Sequence, residues 1–143
     1  MRKIHSELLW TGNARDARTP QELFATGISA VVDLAYEESP AELPRQMVYC
    51  RFPIVDGAGN DPSLLRLALL TTVELLKSRT PAIVACSAGM SRSPTVAICA
   101  LALHLNQSPE SVLGSVNEKS SFELHGDLWT DVCEIAAGLT IDG

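Results

Sequence analysis

The sequence predicts a single α/β domain in which helices flank a central, mostly parallel sheet. Three short apolar runs, at residues 29–34, 47–54 and 82–86, have the length and composition of buried strands. Helical patterns alternate with these runs, and this alternation is typical of parallel sheets. Ligands bind such sheets at the carboxyl ends of the strands, so a functional site is expected there.

The first half of the chain contains one predicted helix and two predicted strands. The helix is expected to begin at Pro20, because proline is favoured at the first helical position, and to end at Gly27. The Val-rich strand 29–34 comes next. The strand 47–54 ends at a segment rich in Gly, Asn and Asp, residues 56–62, which favours a loop.

The second half contains the central strand and four predicted helices. Residues 64–76 form a long apolar pattern without Gly or Pro, which predicts a helix. The strand 82–86 is apolar throughout, as expected of a strand covered on both faces. The helix 94–105 is apolar almost all round, which predicts burial against the sheet. Further helices are expected from Ser108 and over residues 126–137.

The length and composition fit one soluble domain that covers residues 1–143. The formal net charge of −6 disfavours nucleic acid and anionic membranes as partners. No apolar run approaches the length of about 18 residues that a membrane helix needs, and the start of the chain lacks the features of a secretory leader. We therefore expect a cytoplasmic monomer.

The four cysteines, Cys50, Cys86, Cys99 and Cys133, form no C-x-x-C pair. This spacing predicts neither a zinc site nor a disulfide scaffold. Three of them are interpreted as small core residues, with oxidative pairing of Cys50 and Cys86 left open. Cys86 differs, because it stands at the end of the central strand.

The segment that joins the central strand to the buried helix has the composition of an anion site. It contains Cys86, five small or unbranched residues, Arg92 and Ser93. Backbone N–H groups of such a segment can turn inward at a helix N-terminus, where the dipole also attracts anions. The same field favours a cysteine thiolate, which is a strong nucleophile. Arg92 adds a planar charged fork that can bind two phosphate oxygens.

Residues 86–93 (CSAGMSRS) resemble the C-x5-R-[ST] loop of the cysteine-dependent protein tyrosine phosphatase superfamily. The A-G-x-S-R-S portion is most similar to the dual-specificity phosphatase subgroup. Residues 9–14 (LWTGNA), 26–34 (TGISAVVDL) and 52–56 (FPIVD) resemble further stretches of that subgroup. The resemblance therefore covers nearly the whole chain, and only the last thirty residues match loosely.

The resemblance implies a phosphomonoester hydrolase with a cysteinyl-phosphate intermediate, of the protein tyrosine or dual-specificity phosphatase kind, that needs no metal or other cofactor. In such an enzyme Cys86 attacks phosphorus, Asp56 protonates the leaving oxygen and then activates water, and Ser93 assists the sulfur as it leaves. The phosphoryl oxygens are held by the loop residues Ser87, Ala88, Gly89, Met90, Ser91 and Arg92.

Two positions leave alternatives open. The family usually has His immediately before the cysteine, and here that residue is Ala85, so an imidazole that orders the loop and supports the thiolate is missing. A catalytically weak phosphate-binding interaction module on the same fold is therefore the alternative function. Asp61 rivals Asp56 as the general acid, but its place before the helix 64–76 predicts a capping role.

The expected substrates are monophosphates. The Cys86 segment carries no Lys, whereas relatives that act on polyphosphorylated inositides tend to have Lys there. Phosphotyrosine is the first expectation, with phosphoserine, phosphothreonine and small phosphomonoesters also open. Glu37, Glu38 and Glu42 favour a basic or neutral flank on the substrate.

Two further interpretations concern polar residues outside this segment. Asp33 is expected to make a structural hydrogen bond. Arg15 and Arg18 are interpreted as solvated surface.

Overall fold

A computed structural model describes residues 1–140 and shows a five-stranded sheet between helices. The strands are β1 (Arg2–His5), β2 (Leu9–Gly12), β3 (Ala30–Ala35), β4 (Val48–Ile54) and β5 (Ala82–Ala85). The helices are α1 (Pro20–Thr26), α2 (Pro62–Lys77), α3 (Arg92–Leu105), α4 (Pro109–Val116) and α5 (Asp127–Thr140), and a 3-10 turn covers Asp16–Arg18.

The sheet has the strand order β1-β2-β5-β3-β4. The four strands from β2 to β4 in this order pair in parallel, and β1 pairs antiparallel with β2 at one edge. The mostly parallel sheet predicted from the sequence is therefore confirmed. The edge strand β1 was not predicted, because its sequence RKIH is polar and its residues are exposed or only half-buried, so it lacks the apolar run of a central strand.

Two hydrophobic layers cover the sheet. Helices α2 to α5 form the larger layer, in which Leu69, Ile98 and Val132 are fully buried. On the opposite face, α1 contributes Leu23 to a smaller cluster that includes Trp10 of β2. β3 and β5 are buried along their whole length, which explains why both read as continuous apolar runs.

The boundaries of β5 and α3 differ slightly from those predicted. β5 ends at Ala85, so Cys86 is the first residue of the loop and not the last of the strand. α3 begins at Arg92, two residues before the expected Pro94. Pro94 fits inside the first turn because the N–H groups of that turn have no acceptor within the helix. The two residues with proposed chemistry, Arg92 and Ser93, therefore belong to the rigid helix start.

None of the helices within residues 1–140 has the length and apolarity needed to cross a bilayer.

The carboxylate of Asp61 caps α2. Its Oδ1 accepts a hydrogen bond from the backbone N–H of Ser63 at 2.9 Å, which confirms the capping role expected from the sequence.

We predict that Asp61→Ala lowers the free energy of unfolding by about 1 kcal/mol, because one N–H of the first helical turn loses its acceptor. Asp61→Asn should keep nearly full stability, since asparagine caps helices as well as aspartate does. Urea denaturation of the three proteins measures both effects. Equal stability of Asp61→Ala and the parent protein would contradict the capping role.

Candidate active site

Four loops meet at the carboxyl edge of the sheet. The Cys86 loop (residues 86–91) follows β5 and leads into α3, and the turn after β2 begins at Gly12, the last residue of that strand, and runs to residue 15. The acidic loop (residues 36–39) follows β3, and the Asp56 loop (residues 55–60) follows β4. Because these four strands are parallel neighbours, their carboxyl ends bring the loops together at the edge where the sequence predicts a ligand site.

The Cys86 sulfur is enclosed by hydrogen-bond donors. The side chain is 2% exposed, and its Sγ accepts hydrogen bonds from the backbone N–H groups of Gly89 at 3.3 Å and Ser93 at 3.4 Å. Ser93 Oγ lies 3.3 Å from the same sulfur. Two backbone N–H dipoles thus converge on one atom at the N-terminus of α3, with a hydroxyl beside it, and such dipoles favour negative charge on sulfur.

The hydroxyl of Ser93 has two partners and one hydrogen. Besides the sulfur, the carbonyl oxygen of Gly12 lies 3.5 Å from Ser93 Oγ. When Cys86 is a thiol, its S–H can donate to Ser93 Oγ while the hydroxyl donates to Gly12. When Cys86 is a thiolate, the hydroxyl turns and donates to the sulfur. The same side chain therefore serves both states of the sulfur.

The turn after β2 supports the Cys86 loop through close backbone contact. Gly89 has a φ of +74°, and a Cβ there would lie 2.9 Å from the carbonyl carbon of Gly12. The backbone N–H of Cys86 also donates to Gly12 O at 3.2 Å, and that of Ala14 donates to Ser87 O at 3.2 Å. Only glycine suits position 89, for reasons of both backbone conformation and space.

Arg92 forms a bidentate ion pair with Glu37 of the acidic loop. Its Nη1 donates to Glu37 Oε1 at 2.6 Å and its Nη2 to Oε2 at 2.7 Å, while Nη1 also donates to the carbonyl oxygen of Ile54 at 2.9 Å. The hydrogen bond from Arg92 lowers the pKa of Glu37 to about 2, and the hydrogen bond with Glu37 raises the pKa of Arg92. The pair therefore stays ionised throughout the neutral pH range.

These contacts leave one edge of the guanidinium available. Three of its five N–H groups are engaged by Glu37 and Ile54. Within the described residues, the Nε–H and the second hydrogen of Nη2 have no protein acceptor. Both lie along the same edge of the planar group, so they form a second fork with the spacing of two carboxylate or phosphate oxygens.

Two arginines hold the backbone of the acidic loop. Arg51 Nη2 donates to the carbonyl oxygen of Glu38 at 3.0 Å. Arg18 donates through Nη2 to Ser39 O and through Nη1 to Ala14 O at 3.0 Å. The interpretation of Arg18 as solvated surface is therefore wrong, because its guanidinium ties the acidic loop to the turn after β2.

A hydrogen bond between the half-buried Tyr49 and the buried Asp33 supports the segment that follows the acidic loop. The hydroxyl of Tyr49 donates to Asp33 Oδ2 at 2.6 Å and accepts from the backbone N–H of Ala41 at 2.9 Å. Asp33 Oδ1 also accepts from the N–H of Ala35 at 3.1 Å. The structural role expected for Asp33 is confirmed.

The acidic loop also contacts the Cys86 loop directly. Ser87 Oγ donates to Glu38 Oε2 at 3.0 Å. Adjacent carboxylates of one loop thus hold two residues of the candidate site, Arg92 through Glu37 and Ser87 through Glu38.

Asp56 lies beside the Cys86 loop on an exposed, preformed loop. Its Oδ1 accepts a hydrogen bond from Ser91 Oγ at 3.0 Å. The side chain of Asn60 closes this loop, because its Oδ1 accepts from Val55 N and its Nδ2 donates to Val55 O, both at 2.9 Å. Of the two rival aspartates, Asp56 faces the Cys86 loop and Asp61 caps a helix.

The predicted site residues thus lie together, but some contributors were not identified from the sequence. In the sequence, Glu37 is recognisable only as a charge beside the site, and no motif marks Gly12 or Asn60 as site residues. A signal did exist for Glu37, because a buried arginine needs an anionic partner and Glu37 follows a buried strand that ends at the same edge.

The position before the cysteine is closely packed. Ala85 is 1% exposed and belongs to the smaller hydrophobic cluster beside Ile83.

The described residues contain no group of three His, Cys, Asp or Glu side chains arranged to bind a metal ion.

Comparison with solved structures places this fold among the dual-specificity phosphatases. Human DUSP28 matches with a TM-score of 0.85 and 19% sequence identity, covering 100% of both chains. A mouse dual specificity phosphatase complexed with zinc tungstate matches at 0.83 and 21% identity, covering 98% of this chain and 88% of that one. The human tyrosine phosphatase-like serine/threonine/tyrosine-interacting protein matches at 0.79 and 17% identity, covering 97% and 99%.

No protein-family model and no curated protein sequence matches the chain. The structural matches confirm, at the level of fold, the resemblance that the sequence motifs indicate.

We predict that Glu37→Asp weakens binding of an oxyanion such as tungstate about tenfold. The substitution keeps the charge but shortens the side chain by one methylene, so the bidentate contact that orients Arg92 is lost; hydrogen bonds between charged groups contribute about 1.5–3 kcal/mol. Isothermal titration calorimetry measures the dissociation constant. Glu42→Asp, on an exposed residue nearby, is the matched control and should bind like the parent protein. Unchanged affinity in Glu37→Asp would show that Arg92 needs no such support.

Proposed function

We propose that the protein is a phosphomonoester hydrolase that works through a cysteinyl-phosphate intermediate, as a protein tyrosine or dual-specificity phosphatase. The observation that supports this most is the convergence of three elements at one point. A buried sulfur accepts hydrogen bonds from the Cys86 loop, the free edge of Arg92 lies at the start of the next helix, and the carboxylate of Asp56 touches the same loop. A nucleophile, an anion fork and a proton donor are the groups that phosphoryl transfer to sulfur needs.

In the first step, the Cys86 thiolate attacks phosphorus and the bond between phosphorus and the leaving oxygen breaks. The free fork of Arg92 and the N–H groups of the Cys86 loop hold the equatorial oxygens, over which negative charge is spread in the transition state. Because Glu37 already holds the Nη1–Nη2 edge of the guanidinium, little reorganisation is needed as the phosphate binds at the adjacent Nε–Nη2 edge.

Asp56 protonates the leaving oxygen in this step. Its contact with Ser91 keeps the carboxyl group over the Cys86 loop, and the hydrogen bonds of Asn60 hold the backbone on which it stands. In the second step Asp56 accepts a proton from a water molecule as that water attacks phosphorus. The sulfur departs as a thiolate, which the Ser93 hydroxyl stabilises by donating to it.

The surroundings of the site support a monophosphate substrate with an apolar or aromatic body. Tyr36, Val55 and Met90 are large exposed apolar side chains on three of the loops that form the site. The carboxylates of Glu38 and Asp56 contact the two ends of the Cys86 loop, at Ser87 and Ser91, and would repel additional phosphates. Phosphotyrosine in a neutral or basic sequence fits these features, and shorter phospho-residues are compatible with them. The proposal also includes a monomer that acts in the cytoplasm.

We predict that the protein hydrolyses p-nitrophenyl phosphate between about pH 5 and about pH 8 without added metal, and that Cys86→Ser abolishes this activity. Asp56→Ala should lower kcat on phenyl phosphate about 100-fold and remove the basic limb of its pH profile, because that leaving group requires protonation. The loss on p-nitrophenyl phosphate should be smaller, since p-nitrophenolate leaves without a proton. Asp61→Ala is the control and should keep both limbs.

Two outcomes would contradict the proposal in different ways. Turnover that survives Cys86→Ser would place the chemistry elsewhere. Absence of turnover in the parent protein, together with oxyanion binding that requires Arg92, would instead support the phosphate-binding interaction module that the replacement of the usual His by Ala85 keeps open.

We predict at least a tenfold higher kcat/KM for a phosphotyrosine peptide than for a polyphosphorylated inositide, because each added phosphate meets carboxylates and no free cation in the Cys86 loop. Glu38→Lys should raise kcat/KM for the inositide and so reduce the preference for the phosphotyrosine peptide. Glu42→Lys is the charge-matched control and should change this preference less. A preference of the parent protein for the inositide would show that charge at the rim does not determine substrate choice.

A further inference from the structure

Two cysteines outside the candidate site form a close pair between helices. Cys99 of α3 and Cys133 of α5 place their sulfur atoms 3.9 Å apart. Cys99 is completely buried, whereas Cys133 is half-buried. The sequence interpretation of both as core residues therefore holds for Cys99 and fails to describe Cys133, which is partly accessible.

Cys133 borders a cavity of about 450 Å3. The cavity lies between the end of α3, the start of α4 and one face of α5, and it is lined by residues that include Ala102, Leu103, Asn106, Glu110, Cys133 and Ala136. Most of this lining is apolar, and Glu110 contributes the charge. A small molecule that enters the cavity can therefore reach the Cys133 sulfur, with the Cys99 sulfur directly behind it.

The two thiols differ in pKa as well as in accessibility, and this difference assigns them different roles. The hydrogen bond from the Cys99 thiol lowers the pKa of Cys133, and the same interaction, together with burial, raises the pKa of Cys99. The accessible sulfur is thus the one that more readily becomes a thiolate, and the thiolate is the form that attacks disulfides.

We propose that Cys133 is a thiol–disulfide exchange site for small neutral or cationic disulfides that enter this cavity, and that Cys99 resolves the product into a Cys99–Cys133 disulfide. In the first step the Cys133 thiolate attacks a disulfide RS–SR, forms Cys133–S–SR and releases RS⁻. In the second step the Cys99 thiol attacks the Cys133 sulfur, loses its proton and releases RSH. The small disulfide is the oxidant, and both of its sulfurs leave as thiols.

The geometry supports the second step. The sulfurs lie 3.9 Å apart on two helices that already pack together, and a disulfide requires them to approach to about 2.05 Å. Cys99 belongs to α3, the helix that begins with Arg92 two turns earlier. The disulfide would therefore link this helix covalently to α5.

Glu110 determines which disulfides are accepted. Its carboxylate lines the cavity and acts electrostatically on both cysteines. A negative charge at this position attracts cationic disulfides and repels anionic ones, most strongly at low ionic strength.

Peptide mapping of the full chain tests the proposal. Trypsin places the four cysteines on four different peptides, residues 46–51, 80–92, 93–119 and 120–143. The reduced protein is incubated with cystamine, with 2-hydroxyethyl disulfide or with 3,3′-dithiodipropionate, which are cationic, neutral and anionic reagents of similar size. The cysteine thiols of the protein that remain free are then blocked by alkylation. The protein is digested, and the peptides are identified by mass spectrometry.

We expect peptides 93–119 and 120–143 to become linked, about tenfold faster with cystamine than with dithiodipropionate at low salt. Glu110→Gln should remove most of this difference. Cys99→Ser should stop the reaction at a mixed disulfide on 120–143, and Cys133→Ser should leave 93–119 unmodified. Cys50 is the internal control, because it is also half-buried but its pKa is raised by burial, so peptide 46–51 should react more slowly.

Three results would overturn the proposal. They are the absence of linked peptides in the parent protein, modification of 46–51 ahead of 120–143, and an unchanged cystamine preference in Glu110→Gln. The readout is a peptide mass, so it does not depend on whether the protein hydrolyses phosphate esters.

Discussion

The ion pair between Arg92 and Glu37 is the contact on which the geometry of the candidate site depends. The side chain of Arg92 is only 5% exposed, so burying its permanent charge costs free energy unless an anionic partner offsets that cost. Glu37 supplies this partner in a bidentate geometry. The same pair joins the acidic loop to the start of α3 and decides which N–H groups of Arg92 have no acceptor among the described residues. Much of the surrounding structure, including the contacts of Arg51 and Arg18, keeps Glu37 where this pairing is possible.

The loops of the site are held in place by different kinds of contact. Close glycine contact supports the Cys86 loop, side chain to carbonyl hydrogen bonds support the acidic loop, and the Asn60 amide substitutes for a backbone partner in the Asp56 loop. Each arrangement fixes polar groups before any ligand is present. Such preorganisation is what electrostatic stabilisation of a transition state requires, because dipoles that already point at the developing charge need not reorient.

The residues that could be predicted from the sequence are those whose role is local. Cys86, Arg92 and the small residues between them lie within one short continuous segment, and the capping role of Asp61 depends on the two residues that follow it. The roles of Glu37 and Gly12 arise only when strands distant in sequence become neighbours, since their partners Arg92 and Gly89 lie 55 and 77 positions away. The strands β3, β4 and β5 follow from their apolar patterns, whereas β2 is indicated only by the family resemblance of residues 9–14. The edge strand β1 has no apolar pattern and depends on pairing with β2.

The direct approach of Gly89 to the turn after β2 has a consequence for folding. The two segments that meet there are far apart in the chain, and they meet only when β2 and β5 are paired and α3 has docked. An oxyanion held by the Cys86 loop would therefore bind only protein in which β2, β5 and α3 are assembled. Such a ligand acts as a reporter of global folding, and at 100 times its dissociation constant it would shift the unfolding equilibrium by about 2.7 kcal/mol.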